Sequence, residues 1–332
     1  MISKKIRRVT FWSIGAGVAV LGILTYTSYR RDLNAARARI ASGSQIANTV
    51  CGAIEYATAG DGPPILLIHG AGGGWDQGLE AGHTLADSRY RLIAMSRFGY
   101  LRTPQPADTS PRAQADAHAC LLDALHIPRV AVIGVSAGAP SAMQFCLRYP
   151  ERCAAMVLLV PMAYAPRTAG EAQQKTSALT EFMVNTILSS DVCFWILMKL
   201  ARDTVIRTIL ATPPVDFHNA TPDEQARVLA VMRNILPISE RQQGLRNEAT
   251  IVPTLPRYEL DRITAPTLVL TIEDDLFGSF RAGRYTAEYI PGARFVSFPT
   301  GGHLWVGHQQ EFLSEITGFL GQHLPEGGSV VR

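Results

Sequence analysis

Short continuous runs of Val, Ile, Leu and Met recur along the chain with helix-forming stretches between them. This order constrains the fold more than any other feature. The runs are Pro64–Ile68, Tyr90–Met95, Val130–Val135, Ala155–Val160, Thr267–Ile272 and Arg294–Phe298. Gln114–Leu125, Ala139–Tyr149 and Gln309–Leu324 read as helices, the first with Ala115, Ala117, Ala119, Leu121, Leu122 and Leu125 available to a buried side. A strand that is apolar on both faces needs cover on both, which a mostly parallel sheet with helices on either side provides. Gly52–Thr58 alternates instead, as an early edge or hairpin strand does. The expected class is therefore α/β, with a core formed by residues 50–161 and 263–325. The interval 162–262 breaks the alternation and reads as a helical cap inserted after the Ala155–Val160 strand. Its apolar run Val192–Met198 is too short to span a bilayer and reads as a buried cap helix or the roof of a substrate pocket, in preference to a membrane-surface contact. Residues 326–332 form a tail.

With 332 residues, 47% hydrophobic and 18% charged, the chain is neither disordered nor a small disulfide-stapled domain. Its net charge of +3 is unevenly placed. Lys4, Lys5, Arg7, Arg8, Arg30, Arg31, Arg37 and Arg39 lie ahead of position 40 against a single acid, Asp32, so the body is mildly acidic. That argues against a nucleic-acid partner. The five cysteines (Cys51, Cys120, Cys146, Cys153, Cys193) are odd in number and include no C-x-x-C pair. They read as small buried hydrophobes, neither a disulfide framework nor a zinc site, which leans against export.

No charge falls between Arg8 and Arg30, and the 21 residues Val9–Tyr29 approach the length of a membrane-spanning helix. Trp12, Tyr26 and Tyr29 suit the two interfaces. The apolar run is longer than a signal-peptide core, and the nearest Ala-x-Ala, Ala36-Arg37-Ala38, lies beyond Arg30 and Arg31. The expectation is an uncleaved single-span anchor over residues 1–30, a linker over 31–49, and a protein held at the membrane by this segment. Four basic residues on each side leave the orientation unassigned. The sequence assigns no oligomeric state.

Gly134-Val135-Ser136-Ala137-Gly138 fits G-x-S-x-G, with an apolar strand run before it and a helix after it. A sharp strand-to-helix turn presents the central hydroxyl at the sheet edge, and the glycines leave room where a Cβ would collide. Pro140 suits a first helical turn, where its missing N–H is not needed. A serine hydroxyl needs a base. His303 follows the Arg294–Phe298 strand, at the sheet edge where an open α/β sheet gathers its functional groups. His308 is the weaker candidate, and the remaining histidines lie in helical, loop or terminal contexts. The base in turn needs a carboxylate. Glu273-Asp274-Asp275 follows Thr267–Ile272, while no acid follows Ala155–Val160. Asp275 is the preferred acid and Asp274 the reserve.

Ser136, Asp275 and His303, in that chain order, resemble the α/β-hydrolase superfamily of serine hydrolases, and the resemblance covers about residues 50–325. His69-Gly70-Ala71-Gly72-Gly73-Gly74 resembles that family's oxyanion loop, and Ser96-Arg97-Phe98-Gly99-Tyr100 a degenerate form of its next loop. The resemblance implies Ser136 as nucleophile, His303 as base and Asp275 as acid. It implies the backbone N–H groups of Ala71 (or Gly72) and Ala137 as the oxyanion hole, with His69 holding the loop. It implies cleavage of a carboxylic ester or related acyl bond through an acyl-enzyme, with no metal and no organic cofactor, and the apolar cap and the expected anchor point to an apolar small molecule as the substrate. The same three residues also serve carbon–carbon bond hydrolases, perhydrolases and acyltransferases. A serine at the elbow disfavours epoxide hydrolase and dehalogenase chemistry, whose family members use Asp. A ligand-binding relative without turnover is the remaining alternative, though such proteins usually lack one of the three residues.

Overall fold

The computed structural model describes residues 4–85, 89–166 and 189–324. Residues 167–188 of the expected cap and the expected tail, 326–332, lie outside the described residues. The chain begins with α1 (Lys4–Ala41), β1 (Gln45–Thr49), β2 (Gly52–Ala59), β3 (Pro64–Ile68), α2 (Trp75–Leu85) and β4 (Arg91–Met95). It continues through α3 (Pro111–Ala124), β5 (Val130–Val135), α4 (Ala139–Arg148) and β6 (Cys153–Leu159). An insertion then carries α5 (Asp191–Leu200), α6 (Arg202–Thr208), α7 (Pro214–Asn219), α8 (Pro222–Asn234) and α9 (Gln242–Ile251). The core resumes with β7 (Thr267–Ile272), α10 (Ser279–Tyr289), β8 (Arg294–Phe298) and α11 (Gln309–His323).

The described strands form one sheet in the order β1-β2-β4-β3-β5-β6-β7-β8. β2 is antiparallel to both β1 and β4, and every other pairing is parallel. The period-2 geometry of a strand explains the cover on both faces. From β5, Val130 and Val132 join one buried cluster with Leu121, Leu122, Met143 and Phe145 of α3 and α4. Ala131 and Ile133 join another on the opposite face, with Leu85 of α2 and Phe312, Ile316, Phe319 and Leu320 of α11. The parallel strands β3–β8 therefore end at a common edge, which carries the loops of the candidate site.

The membrane anchor is corrected. No helix among the described residues is long and apolar enough to cross a membrane. The uncharged run is diluted by Thr10, Ser13, Gly15, Gly17, Gly22, Thr25, Thr27 and Ser28, which removes the basis for a protein held at the membrane by this segment. The second half of α1 also belongs to the folded body. Leu33 and Ala36 are buried. Asp32 accepts from the Trp195 indole at 3.0 Å and pairs with Lys199 at 3.0 Å, both on α5. Tyr29 meets Trp195 edge to face. Within residues 31–49, α1 runs to Ala41 and β1 extends the sheet. In the Val192–Met198 run, Phe194, Trp195 and Met198 are buried with Val205, Phe217 and Val228, so this is an interior helix face.

The cysteine reading is also corrected. Cys51 is bonded to Cys120, with Cα atoms 6.1 Å apart, and Cys146 to Cys153, with Cα atoms 5.2 Å apart. Only Cys193 is free. The partners are brought together by packing that spacing does not reveal, Cys51 entering β2 beside α3 and Cys146 ending α4 beside β6. In the loop-entropy account a cross-link between residues 69 apart stabilises the fold by roughly 4 kcal/mol. Protein purified without reductant and denatured should therefore show one reactive thiol, rising to five after reduction. The reduced form should melt at a lower temperature. Five reactive thiols before reduction would contradict the pairing.

Candidate active site

Ser136 follows β5 at φ +50°, a left-handed conformation that a non-glycine residue adopts at a penalty of about 1–2 kcal/mol. The chain then enters a short 3₁₀ turn, Ser136–Gly138, and α4 with Pro140 in its first turn. The turn is possible because its neighbours are stripped of side chains. A Cβ on Gly134 would lie 2.7 Å from the Ala142 Cβ, and one on Gly138 would lie 2.5 Å from the Ile68 carbonyl oxygen.

The imidazole of His303 bridges Ser136 and Asp275. Its Nε2 lies 2.9 Å from Ser136 Oγ and its Nδ1 lies 2.7 Å from Asp275 Oδ2. The carboxylate can only accept, so Nδ1 carries the proton and Nε2 is left to accept from the hydroxyl. Asp275 Oδ1 accepts the Phe277 N–H at 2.8 Å, and Oδ2 also accepts the Ser279 hydroxyl. All three side chains are buried. Phe277 stands edge-on to the imidazole, with centroids 4.9 Å apart.

Asp274 turns elsewhere. Its Oδ1 accepts the Gly302 N–H at 2.8 Å, while Asp216 of α7 accepts the Gly301 N–H at 3.2 Å. Burial raises the Asp216 carboxyl above its ordinary range, and the adjacent Asp274, hydrogen-bonded to it, raises it further. These two carboxylates thus clamp the loop that carries His303. The same stretch ahead of α7 supports both loops at the site. The Ala211 carbonyl accepts from Leu276 N–H at 3.1 Å and His303 N–H at 3.2 Å, and the Thr212 hydroxyl accepts from Leu304 N–H at 3.3 Å.

Beside Ser136, the loop at 69–74 is tightly held. His69 Nε2 accepts the Arg97 N–H at 3.0 Å, which fixes the proton on Nδ1, and Nδ1 donates to the Gly70 carbonyl at 2.7 Å. Burial, with help from Arg97, pushes the His69 imidazole well below its ordinary range, so it stays neutral. The Gly70 carbonyl belongs to the same peptide unit as the Ala71 N–H, so this bond orients that N–H. The Gly72 N–H already faces the Tyr100 hydroxyl at 3.4 Å. Ala137 is buried, and its carbonyl accepts from Arg97 Nη1 at 3.2 Å.

The other histidines fall outside this cluster. His118 Nε2 lies 3.1 Å from Ser141 Oγ, but its Nδ1 faces Met95 Sδ, and burial pushes its pKa down to about 3. His308 stacks on Phe298. Among the described residues no group of three or more His, Cys, Asp or Glu side chains is arranged to hold a metal ion. Sequence reasoning missed Ser279, Asp216 and Ala211. None of them lies in a motif, and only the folded chain brings them to the site.

Comparison with known proteins points the same way. A family model described as alpha/beta hydrolase fold matches residues 63–306. An uncharacterized hydrolase of Bacillus subtilis is 27% identical over 81% of this chain and 95% of its own length. A 2-hydroxy-6-oxononadienedioate/2-hydroxy-6-oxononatrienedioate hydrolase of Paraburkholderia phymatum is also 27% identical, over 81% of this chain and 91% of its own. Among solved structures, an alpha/beta hydrolase fold protein from Nakamurella multipartita superimposes with a TM-score of 0.61 at 26% identity, covering 83% of this chain and 99% of that one.

The Asp216–Asp274 pair has a pH signature. A carboxyl whose folded-state pKa is raised favours the fold below its unfolded pKa relative to above its folded one, because ionisation is the disfavoured step. Asp216→Asn removes that ionisation and can still offer its carbonyl to Gly301. Its melting temperature relative to the parent should therefore improve as pH rises from about 4 to 8. A difference that is flat across this range, or that reverses, would show that the Asp216 carboxyl is not raised in the fold.

Proposed function

The chain belongs to the α/β-hydrolase family, and on that footing we propose that it is a serine hydrolase that cleaves a carboxylic ester, or a related acyl bond, of an apolar small molecule. The observation that carries this reading is the unbroken hydrogen-bonded line from Ser136 Oγ through His303 to Asp275. Ser136 attacks the carbonyl carbon while His303 Nε2 takes its proton. Asp275 holds the imidazole in the tautomer this requires and stabilises the imidazolium as it forms. The Ala71 and Ala137 N–H groups receive the negative charge that develops on the carbonyl oxygen. One such donor is worth roughly 2.7–4 kcal/mol in the transition state. His303 then protonates the departing alkoxide. In the second half-reaction it deprotonates a water, which releases the acid and restores Ser136. The helices between β6 and β7 act as the cap over the substrate, with the core at 50–161 and 263–325.

One observation favours a second reaction on the same groups. The Paraburkholderia phymatum relative is named for a 2-hydroxy-6-oxo dicarboxylate. In the keto form of such a compound, the group expelled from the attacked carbonyl is carbon, so hydrolysis breaks a carbon–carbon bond. The fold accommodates either leaving group.

A fluorophosphonate should label the full chain at Ser136, and Ser136→Ala should abolish the labelling. On p-nitrophenyl esters of increasing length, Ser136→Ala and His303→Ala should each lower kcat by about 10⁴-fold or more, and Asp275→Asn by on the order of 10²–10⁴-fold. Labelling that persists in Ser136→Ala removes the nucleophile and the mechanism with it. A kcat/KM on a 2-hydroxy-6-oxo-dienoate above that on every ester would replace ester cleavage by the carbon–carbon reaction.

A further inference from the structure

Asp76 lies in the first turn of α2, two residues beyond the loop that carries Ala71. It is buried, and two arginines from different elements converge on it. Arg241, which enters α9, has no solvent exposure. It donates to Asp76 Oδ1 at 3.2 Å and Oδ2 at 2.7 Å, and to the Gly73 carbonyl at 2.5 Å. Arg39, near the end of α1, donates through Nε to Asp76 Oδ2 at 3.2 Å. Its Nη2 donates to the Asn234 carbonyl at 3.1 Å and the Leu236 carbonyl at 2.5 Å, at the end of α8. One carboxylate thus joins the N-terminal helix, the inserted helices and the loop beside Ser136.

These contacts fall where the loop would otherwise be free to re-form. Gly70 O accepts from both His69 Nδ1 and Gly73 N–H, which fixes the near side of the turn. The Gly73 carbonyl begins the far side, and Arg241 is the group that holds it. A Cβ on Gly74 would lie 2.7 Å from Arg241 Nη1 and 2.9 Å from Asp76 Oδ1, so the loop backbone runs directly against the pair. Glycines surrender more conformational freedom than any other residue on ordering, so a run of three needs outside bonds to keep one geometry. Burial alone would raise the Asp76 carboxyl, but Arg241 and Arg39 together hold it below its ordinary range, and it remains a charged acceptor.

We propose that Asp76, Arg241 and Arg39 are positioning residues for the oxyanion site, through which α1 and the inserted helices set the orientation of the Ala71 N–H. The proposal rests on the acyl-transfer reading of Ser136. It assigns α1 a role in catalysis that does not involve a membrane. Arg241 and Asp76 touch no reacting atom. They act through the peptide units between Gly70 and Gly74.

The test uses full-length Asp76→Asn and Arg39→Met, with active sites counted by fluorophosphonate titration to completion. An alkyl boronic acid, which forms a tetrahedral adduct on a reactive serine, reports the oxyanion geometry, and KM on the matched p-nitrophenyl ester reports ground-state binding. For Asp76→Asn, kcat per labelled site should fall by about tenfold or more, boronate affinity should fall by a similar factor, and KM should stay within about twofold. Arg39→Met keeps the Arg241–Asp76 pair, so it should show the same pattern at about threefold, and it carries the test if Asp76→Asn does not fold. A purely structural role lowers the melting temperature and the count of active sites but leaves kcat per site and boronate affinity within about twofold of the parent. That result at either position overturns the proposal. Loss of this pattern with the parent still labelled at Ser136 rejects the positioning role alone. Labelling that survives Ser136→Ala rejects the underlying acyl-transfer reading.

Discussion

The left-handed turn at Ser136 is the constraint on which the rest depends. A β-strand in the middle of a parallel sheet has no room to reverse gently, and a helix must start at once to cover the sheet. The turn is strained at a serine, and it survives because the surrounding structure leaves no alternative. Gly138 lets the backbone of β3's exit press against it, and Gly134 lets α4 fold back onto β5. Those two close approaches bring the 69–74 loop alongside the serine. The geometry at Ser136 and the geometry of the neighbouring loop are therefore one packing problem.

Much of this was legible in the sequence because a buried parallel strand leaves little freedom in composition. β5, β7 and β8 begin and end at the residues their apolar runs mark. β1 was not legible. It is a polar edge strand, QIANT, exposed along most of its length, and it pairs only on the β2 side, so no burial pattern is imprinted on it. The N-terminal run misled for a related reason. Absence of charge between Arg8 and Arg30 looks like a membrane segment, but the residues that matter to the fold lie just after it, where Leu33 is buried and Ala36 shares a cluster with Phe194, Trp195 and Met198 of α5. The cysteine pairs were hidden because each depends on two elements meeting in three dimensions, over separations as different as 69 and 7 residues.

The candidate site shows the same division. Ser136, Asp275 and His303 each follow a strand of the common edge, so topology alone gathers them. The choice between Asp274 and Asp275 was beyond the sequence, since the two are adjacent and both acidic. The structure separates them by what donates to each. Phe277 N–H, the Ser279 hydroxyl and His303 draw Asp275 inward, while Gly302 N–H draws Asp274 along the loop. Ser279 had no signal of its own, because a serine at a helix start is ordinary.

The inserted segment does more than lie over the core. On one side of Ser136, Arg241 reaches the Gly73 carbonyl. On the other, Ala211, Thr212 and Asp216 hold the backbone of residues 301–304, and Ala211 also holds Leu276 next to Asp275. A lid that merely excluded water could be exchanged for another of similar shape. An insertion whose polar groups bond the loops on both flanks of the serine cannot, because any shift in its helices moves those loops. Any displacement of these helices is therefore coupled, through backbone hydrogen bonds, to the alignment of the imidazole and of the loop beside the hydroxyl.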